Sequence, residues 1–240
     1  QMTTLQTDIR TEVIELAKTA FEAFGEDISA MFGLDVSCSC QQNKVDSFAN
    51  IKKRFIKLTA VNSVKAEGAL QGTFYLVFDQ KAMFTLAGSV VMQPKSKILD
   101  NSRIGGQKEA EDLRDAVQEI GNLLIGSWDR VYRERLENHK HFAKISTYIG
   151  EMQEAAQKDG GLSTEGQYNV VDCDITIGDF PPCHCIVMFP QALWDPAANA
   201  AEQKAVPADA KPKDAANPAD GTGKDAEVKP QETTKPVEVT

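Results

Sequence analysis

No run in this 240-residue chain approaches the ~20 consecutive apolar residues that a membrane-spanning helix needs. No signal peptide opens it either, so the expectation is a cytoplasmic protein. Positive charge is also scarce: 26 Lys and Arg stand against 35 Asp and Glu, a formal net charge of -9. Nucleic-acid binding needs a basic face to meet phosphates, and this balance argues against that class of partner. The short clusters Lys52-Lys53-Arg54 and Lys95, Lys97, Arg103 read as solvated loop charge. Gly105-Gly106 lacks the following Lys-Ser/Thr of a phosphate-binding P-loop, and nothing points to a Ser-His-Asp triad. Aromatic residues stop altogether at about Asp195, where Pro, Ala, Lys, Asp and Glu take over. Such a segment cannot bury enough apolar surface to offset its ordering entropy. Residues 196–240 are therefore expected to be a disordered tail, and 1–195 a single domain with a sizeable core.

What the first 195 residues do contain is periodicity. Val13, Ile14, Ala17, Phe21, Phe24, Ile28 and Met31 recur at helical spacing and predict an amphipathic helix over 8–32, stopped by Gly33. Strands are predicted over 55–61, where Ile56, Leu58 and Ala60 alternate, and over 69–78. A shorter helix over 81–92 follows, then a polar loop over 94–107 and a long helix over 108–137. Strands over 142–149, 168–177 and 184–189 complete the set, with a short helical or loop piece over 151–158 between the first two.

This order repeats. Phe74-Tyr75-Leu76-Val77-Phe78-Asp79-Gln80 resembles Cys185-Ile186-Val187-Met188-Phe189-Pro190-Gln191, and Asp8, Glu12 and Glu15 are spaced like Asp115, Glu119 and Asn122. The two resemblances lie in near register. They imply an internal duplication, and an α/β domain of two pseudo-symmetric halves with long helices packed on one mostly antiparallel sheet.

The long helix carries the candidate site. At about 100° per residue, Asp115, Glu119, Asn122, Gly126 and Asp129 fall in one narrow sector. Leu113, Ile120, Leu124 and Val131 fall opposite, flanked by Val117 and Trp128, so one face packs inward and the other looks out. Gly121 and Gly126, each costing about 1 kcal/mol relative to Ala inside a helix, are expected to leave the surface beside Asn122 bare for a close approach. The plain alternative is an amphipathic helix with a solvated outer face.

The spacing Asp115-x3-Glu119-x2-Asn122 followed by Leu-Leu-Ile-Gly, inside a duplicated α/β domain, resembles the CheC/CheX family of chemotaxis phosphatases, which is related to the flagellar switch proteins. The resemblance covers roughly residues 8–192. It implies a phosphatase for the aspartyl phosphate of a CheY-like receiver, with Glu119 and Asn122 as the catalytic pair. By that resemblance Asn122 positions the attacking water, Glu119 engages a lysine of the receiver, and Asp115 and Gly126 support binding. No cofactor of the protein's own is implied, because the receiver brings its Mg²⁺. A non-enzymatic adaptor binding a receiver or a switch partner through the same helix is the alternative, and a homodimer is left open. The family's Pro, some two dozen residues after the Asn, has no counterpart in His141–Gly150.

Five cysteines remain. Cys38-Ser39-Cys40 and Cys183-His184-Cys185 each place two thiols on one face of a strand, with Cys173 as a fifth. Four thiolates, or three and His184, would suit zinc. The spacing is not that of a zinc finger and the pairs are far apart in sequence, so free buried cysteines are the favoured reading. His139 and His141 are expected at the surface.

Overall fold

The first apolar stripe is a helix, α1 (Met2–Phe32), and it ends where Gly33 turns the chain at φ 62°. The structure is a computed structural model that describes residues 2–158 and 162–194. The expected tail, 196–240, lies outside the described residues. Two short strands follow, β1 (Val36–Cys40) and β2 (Lys44–Ser47). The strand expected over 55–61 starts later than its alternation suggests. Ser47 instead caps a short helix, α2 (Phe48–Arg54), by accepting from the Asn50 amide, and Ile56 lies 80 % exposed beyond it. The strands β3 (Thr59–Gly68) and β4 (Gly72–Phe78) come next.

Asp79 then caps α3 (Gln80–Val90), its carboxylate accepting from the Ala82 amide at 2.7 Å. The polar loop expected over 94–107 is a helix over most of its length, α4 (Lys95–Ile104), followed by α5 (Gln107–Asp112). Only Ile98 and Asn101 of α4 are buried, too few to write an apolar period into the sequence. The long helix is broken at its start, where Leu113 (φ -107°, ψ 9°) separates α5 from α6 (Arg114–Arg135). Asn138, at φ 61°, makes the turn into β5 (His139–Gly150), three residues ahead of the strand read from the sequence. A short helix α7 (Met152–Lys158) leads to β6 (Gln167–Ile177) and β7 (Cys183–Pro190), and a 3-10 turn spans Gln191–Trp194.

The seven strands form one antiparallel sheet in the order β1-β6-β7-β4-β3-β5, with β2 also on β6. That order is its own mirror image. The strands β1, β6 and β7 on one side of the centre correspond to β5, β3 and β4 on the other. The centre is the pairing of β4 with β7, where Leu76 faces Val187 and Val77 faces Ile186. These are the two segments whose likeness announced the duplication. Both lie inside the sheet and are covered on both faces, which is why their apolar runs are nearly continuous.

Each face has its own core. On one, α1, α3 and α6 bury residues such as Phe21, Phe24, Phe84, Leu124 and Trp128 against Phe74, Phe78 and Phe189 of the sheet. On the other, α2 and α7 bring Phe48, Ile51, Met152 and Ala155 onto Val61, Tyr75, Val77, Ile186 and Met188. The helices α2 and α7 have the same length and the same place in each half, so the duplication extends to this second layer.

Asp172 of β6 is the main polar feature on that second side. Its side chain is 2 % exposed; it accepts from Arg54 Nη1 at 2.5 Å and His184 Nε2 at 3.1 Å and forms an ion pair with Lys44 Nζ at 2.6 Å. His184 Nδ1 meets Asp174 at 2.9 Å. With a carboxylate at each ring nitrogen, the protonated form of His184 can donate from both. Burial alone would raise the Asp172 carboxyl, but the hydrogen bond from His184, the ion pair with Lys44 and the charge of Arg54 hold it well below the usual range. Burial likewise opposes the charge on His184, and its bonds to Asp172 and Asp174 outweigh it and raise its pKa. Asp172 therefore contributes stability that is present above its unfolded pKa of ~3.9 and lost as pH falls through its depressed folded value. The share from His184 is full below ~6.5 and lost as pH rises through its raised folded value. We expect the gap in urea midpoint between the wild type and Asp172→Asn to be widest at about pH 5–6. It should close in acid and narrow in part on the alkaline side, as denaturation curves at stepped pH would record.

Candidate functional site: the outer face of helix α6

The inner face of α6 is fixed at several points. Trp128 is fully buried, meets Phe21 of α1 edge-on at 5.0 Å and stacks on Tyr132 at 5.7 Å. The Tyr132 hydroxyl donates to the Val13 carbonyl of α1 at 2.6 Å. Val117, Ile120, Leu124 and Val131 are buried beside them. With that stripe held against α1 and the sheet, Asp115, Glu119, Asn122 and Gly126 are left exposed in one row.

Two members of the expected arrangement behave differently. Asp129 is not on the outer face but 7 % exposed. It accepts from the Phe142 amide at 2.7 Å, His139 Nε2 at 2.9 Å and His141 Nδ1 at 3.2 Å, and pairs with Arg133. Burial alone would raise the Asp129 carboxyl, and the bonds from His139, Phe142 and His141 bring it below its usual value. Asp129 thus pins the C-terminal half of α6 to the start of β5. The His139 side chain is fully buried in that contact, contrary to the surface position expected for it, whereas His141 is 55 % exposed.

Gly121 also has a different task from the one its sequence position suggested. It faces the sheet, where a Cβ would collide with Asn62 Oδ1. Asn62 of β3 is opposite Thr147 of β5 and accepts its hydroxyl at 2.8 Å, and Asn62 Nδ2 donates to the Leu76 carbonyl at 3.2 Å. Gly121 is what lets α6 lie over this buried polar pair. At Gly126 a Cβ would meet nothing within 4 Å, and that glycine leaves the surface bare as expected.

Glu119, Asn122 and Gly126 line a shallow groove of about 580 Å³ between α6 and the C-terminal part of α1, which contributes Asp27 and Met31. Asp115 lies a turn away and does not line it. Asn122 Nδ2 donates to Glu119 Oε2 at 3.3 Å, so the carboxylate orients the amide and leaves Asn122 Oδ1 free to accept from a ligand. On the α1 side, Asp27 accepts from Ser127 Oγ at 2.5 Å and Arg130 at 2.9 Å, and all three also line the groove. Lys144 of β5 donates to the Gln118 carbonyl at 3.1 Å. Partial burial lowers its pKa while the nearby charge of Glu119 acts the other way. Asp27, Arg130 and Lys144 were not singled out from the sequence. Their place depends on which helix and strand pack beside α6, and no local spacing encodes that.

The cysteine pairs, distant in sequence, are neighbours in space. Cys38 and Cys40 of β1, Cys173 of β6 and Cys183 and Cys185 of β7 lie on adjacent strands, and all five are free. Among the described residues, no group of three or more His, Cys, Asp or Glu is arranged to hold a metal ion. No helix among them is long and apolar enough to cross a membrane.

The two glycines give opposite expectations. Gly121→Ala forces α6 off the Asn62–Thr147 pair and should cost about 1–3 kcal/mol. Gly126→Ala should stabilise by up to about 1 kcal/mol, because it adds helix propensity in open space. Urea unfolding of the two variants tests both.

No family model matches this chain, and no curated protein matches it in sequence. Solved structures do match in fold. FliY of Thermotoga maritima superposes with a TM-score of 0.61 at 18 % identity, over 82 % of this chain and 96 % of that one. The FliM middle domain of H. pylori gives 0.57 at 10 %, over 80 % and 97 %. A chain of the H. pylori FliG–FliM complex gives 0.53 at 11 %, over 76 % and 93 %. At these identities the likeness is one of fold, and it agrees with the architecture implied by the sequence motif: the chain has the α/β fold of FliY and of the FliM middle domain.

Proposed function

We propose that this protein is a phosphatase for the aspartyl phosphate of a CheY-like receiver, with Glu119 and Asn122 as its catalytic pair and Asp115 and Gly126 in the docking surface. The observation that carries the reading is the Glu119–Asn122 contact on an exposed, glycine-bordered helix face whose opposite side is locked into the core. An acyl phosphate is already reactive, and the remaining task is to orient a water in line with the breaking bond. An amide suits that task because it can accept and donate at once, and no strong base is needed. Asn122 holds the water through Oδ1 while Glu119 fixes its Nδ2. A divalent cation, which offsets charge developing on the phosphoryl oxygens, comes with the receiver rather than with this chain.

A second reading is a binding module without catalysis, using the same face of α6. It is favoured by the FliY and FliM likeness, one of those matches being a chain of a complex between FliG and FliM.

The two readings separate on one assay. Phosphorylated receiver with Mg²⁺ is mixed with the protein and the loss of acyl phosphate followed. For the phosphatase, Asn122→Ala lowers the rate about 10²-fold without lowering the unfolding midpoint, because Asn122 is exposed inside a helix. Glu119→Ala weakens receiver binding as well as the rate. If the wild type binds the receiver without speeding the loss, the binding module is correct. An unchanged rate in Asn122→Ala removes that residue from the mechanism.

A further inference from the structure

The five cysteines fall on a small grid. Across β1, β6 and β7, Cys40 is opposite Cys173 and Cys173 is opposite Cys185. In the next row of the same face, Cys38 is opposite Ile175 and Ile175 is opposite Cys183. All five belong to the core beneath α1 or pack against it. The grid is graded in exposure: Cys173, Cys183 and Cys185 are buried, while Cys38 and Cys40, on the outermost strand, are half-buried.

The ladder picks out one pair. The Gln41 amide donates to the Asp172 carbonyl at 2.8 Å, which makes Gln41 and Asp172 a hydrogen-bonded pair. Their neighbours Cys40 and Cys173 are then a non-hydrogen-bonded pair, with Cα atoms about 4.5 Å apart and side chains drawn together. That separation lies inside the ~4.4–6.8 Å that a disulfide spans, so the bond needs little backbone movement. The Cys173 thiol is also close enough to Cys38 and Cys40 for both to raise its pKa. Cys38 is engaged elsewhere: its thiol donates to the Phe21 carbonyl of α1 at 3.3 Å and sits against Gly25, where a Cβ would come within 2.9 Å of its sulfur.

We propose that Cys40 and Cys173 form a reversible disulfide and that this edge of the sheet is a thiol-modification site for low-molecular-weight disulfides of the glutathione class. Cys40, the more accessible thiol of the pair, reacts first. Its thiolate attacks one sulfur of oxidised glutathione, that S–S bond breaks, and one glutathione thiolate leaves. The Cys173 thiolate then attacks the Cys40 sulfur and expels the second glutathione. Two protein thiols lose two electrons and two protons, and one oxidised glutathione becomes two reduced ones. Contacts with Cys38 and Cys40, together with burial, hold the Cys173 thiol above its ordinary pKa, so Cys173 is not the thiol that reacts first. The product ties β1 to β6.

The test uses the full chain under native conditions, incubated with oxidised glutathione and read by intact mass and peptide mapping. The expected product is lighter by two hydrogen atoms, carries no glutathione, maps to Cys40–Cys173 and reverts with dithiothreitol. Cys173→Ser should trap glutathione on Cys40, Cys40→Ser should stay reduced, and Cys38→Ser should still close. Iodoacetamide labelling of Cys183 and Cys185 monitors the fold, and both should remain protected throughout. A stable glutathione adduct on the wild type, closure through Cys38, or closure seen only once Cys183 and Cys185 label would each overturn the proposal.

Discussion

Everything about the outer face of α6 depends on how firmly its inner face is held. Trp128 and Tyr132 anchor it to α1, Gly121 seats it over the Asn62–Thr147 pair, and Asp129 ties its far end to the first residues of β5. These contacts differ in kind and agree in direction. With rotation about its axis and sliding along it both blocked, the helix leaves Glu119 and Asn122 no freedom beyond their own rotamers. On the proposed phosphatase reading, a site that must orient a single water gains most from such a support, because small misplacements cost large factors in rate.

The duplication explains how the support arose. In each half a long helix leads into the outer strand, a short helix covers the second face, and two inner strands meet at the β4–β7 seam. The halves have diverged where function would require it. Glu12 and Glu15 lie exposed on α1 as Glu119 and Asn122 do on α6, but only the second copy has an amide. Among the described residues, a 3-10 turn follows β7 where the helix α3 follows β4.

Much of this was legible in the sequence where burial is one-sided and periodic. The stripes of α1 and α6, the inner strands and the resemblance between halves all follow from apolar spacing. The exposed row Asp115, Glu119, Asn122 and Gly126 follows from the same spacing by subtraction. Failures occurred where tertiary partners decide. Asp129 falls in the same sector as Asn122, yet β5 begins directly over it and buries it. Gly121 and Gly126 look alike on a helical wheel, and only the presence of Asn62 beneath one of them separates a packing glycine from an open one. The helix α4 buries two residues and writes no period, while Ile56 writes one and is exposed. The cysteine grid needed the strand order, since β1 and β7 meet only through β6.

The twelve-residue strand β5 pairs with β3 alone among the described strands, so one of its backbone edges has no strand against it. Such an edge can template association with another chain unless something blunts it. Here the pairing with β3 is irregular at Ser63/Val64 and Glu67/Gly68, which bends β5 out of a flat ladder. Lys140 and Lys144 place two ammonium groups along the same strand. An incoming strand would have to match the bends and bury the exposed Lys140 ammonium. These features disfavour edge-to-edge pairing along this side of the sheet.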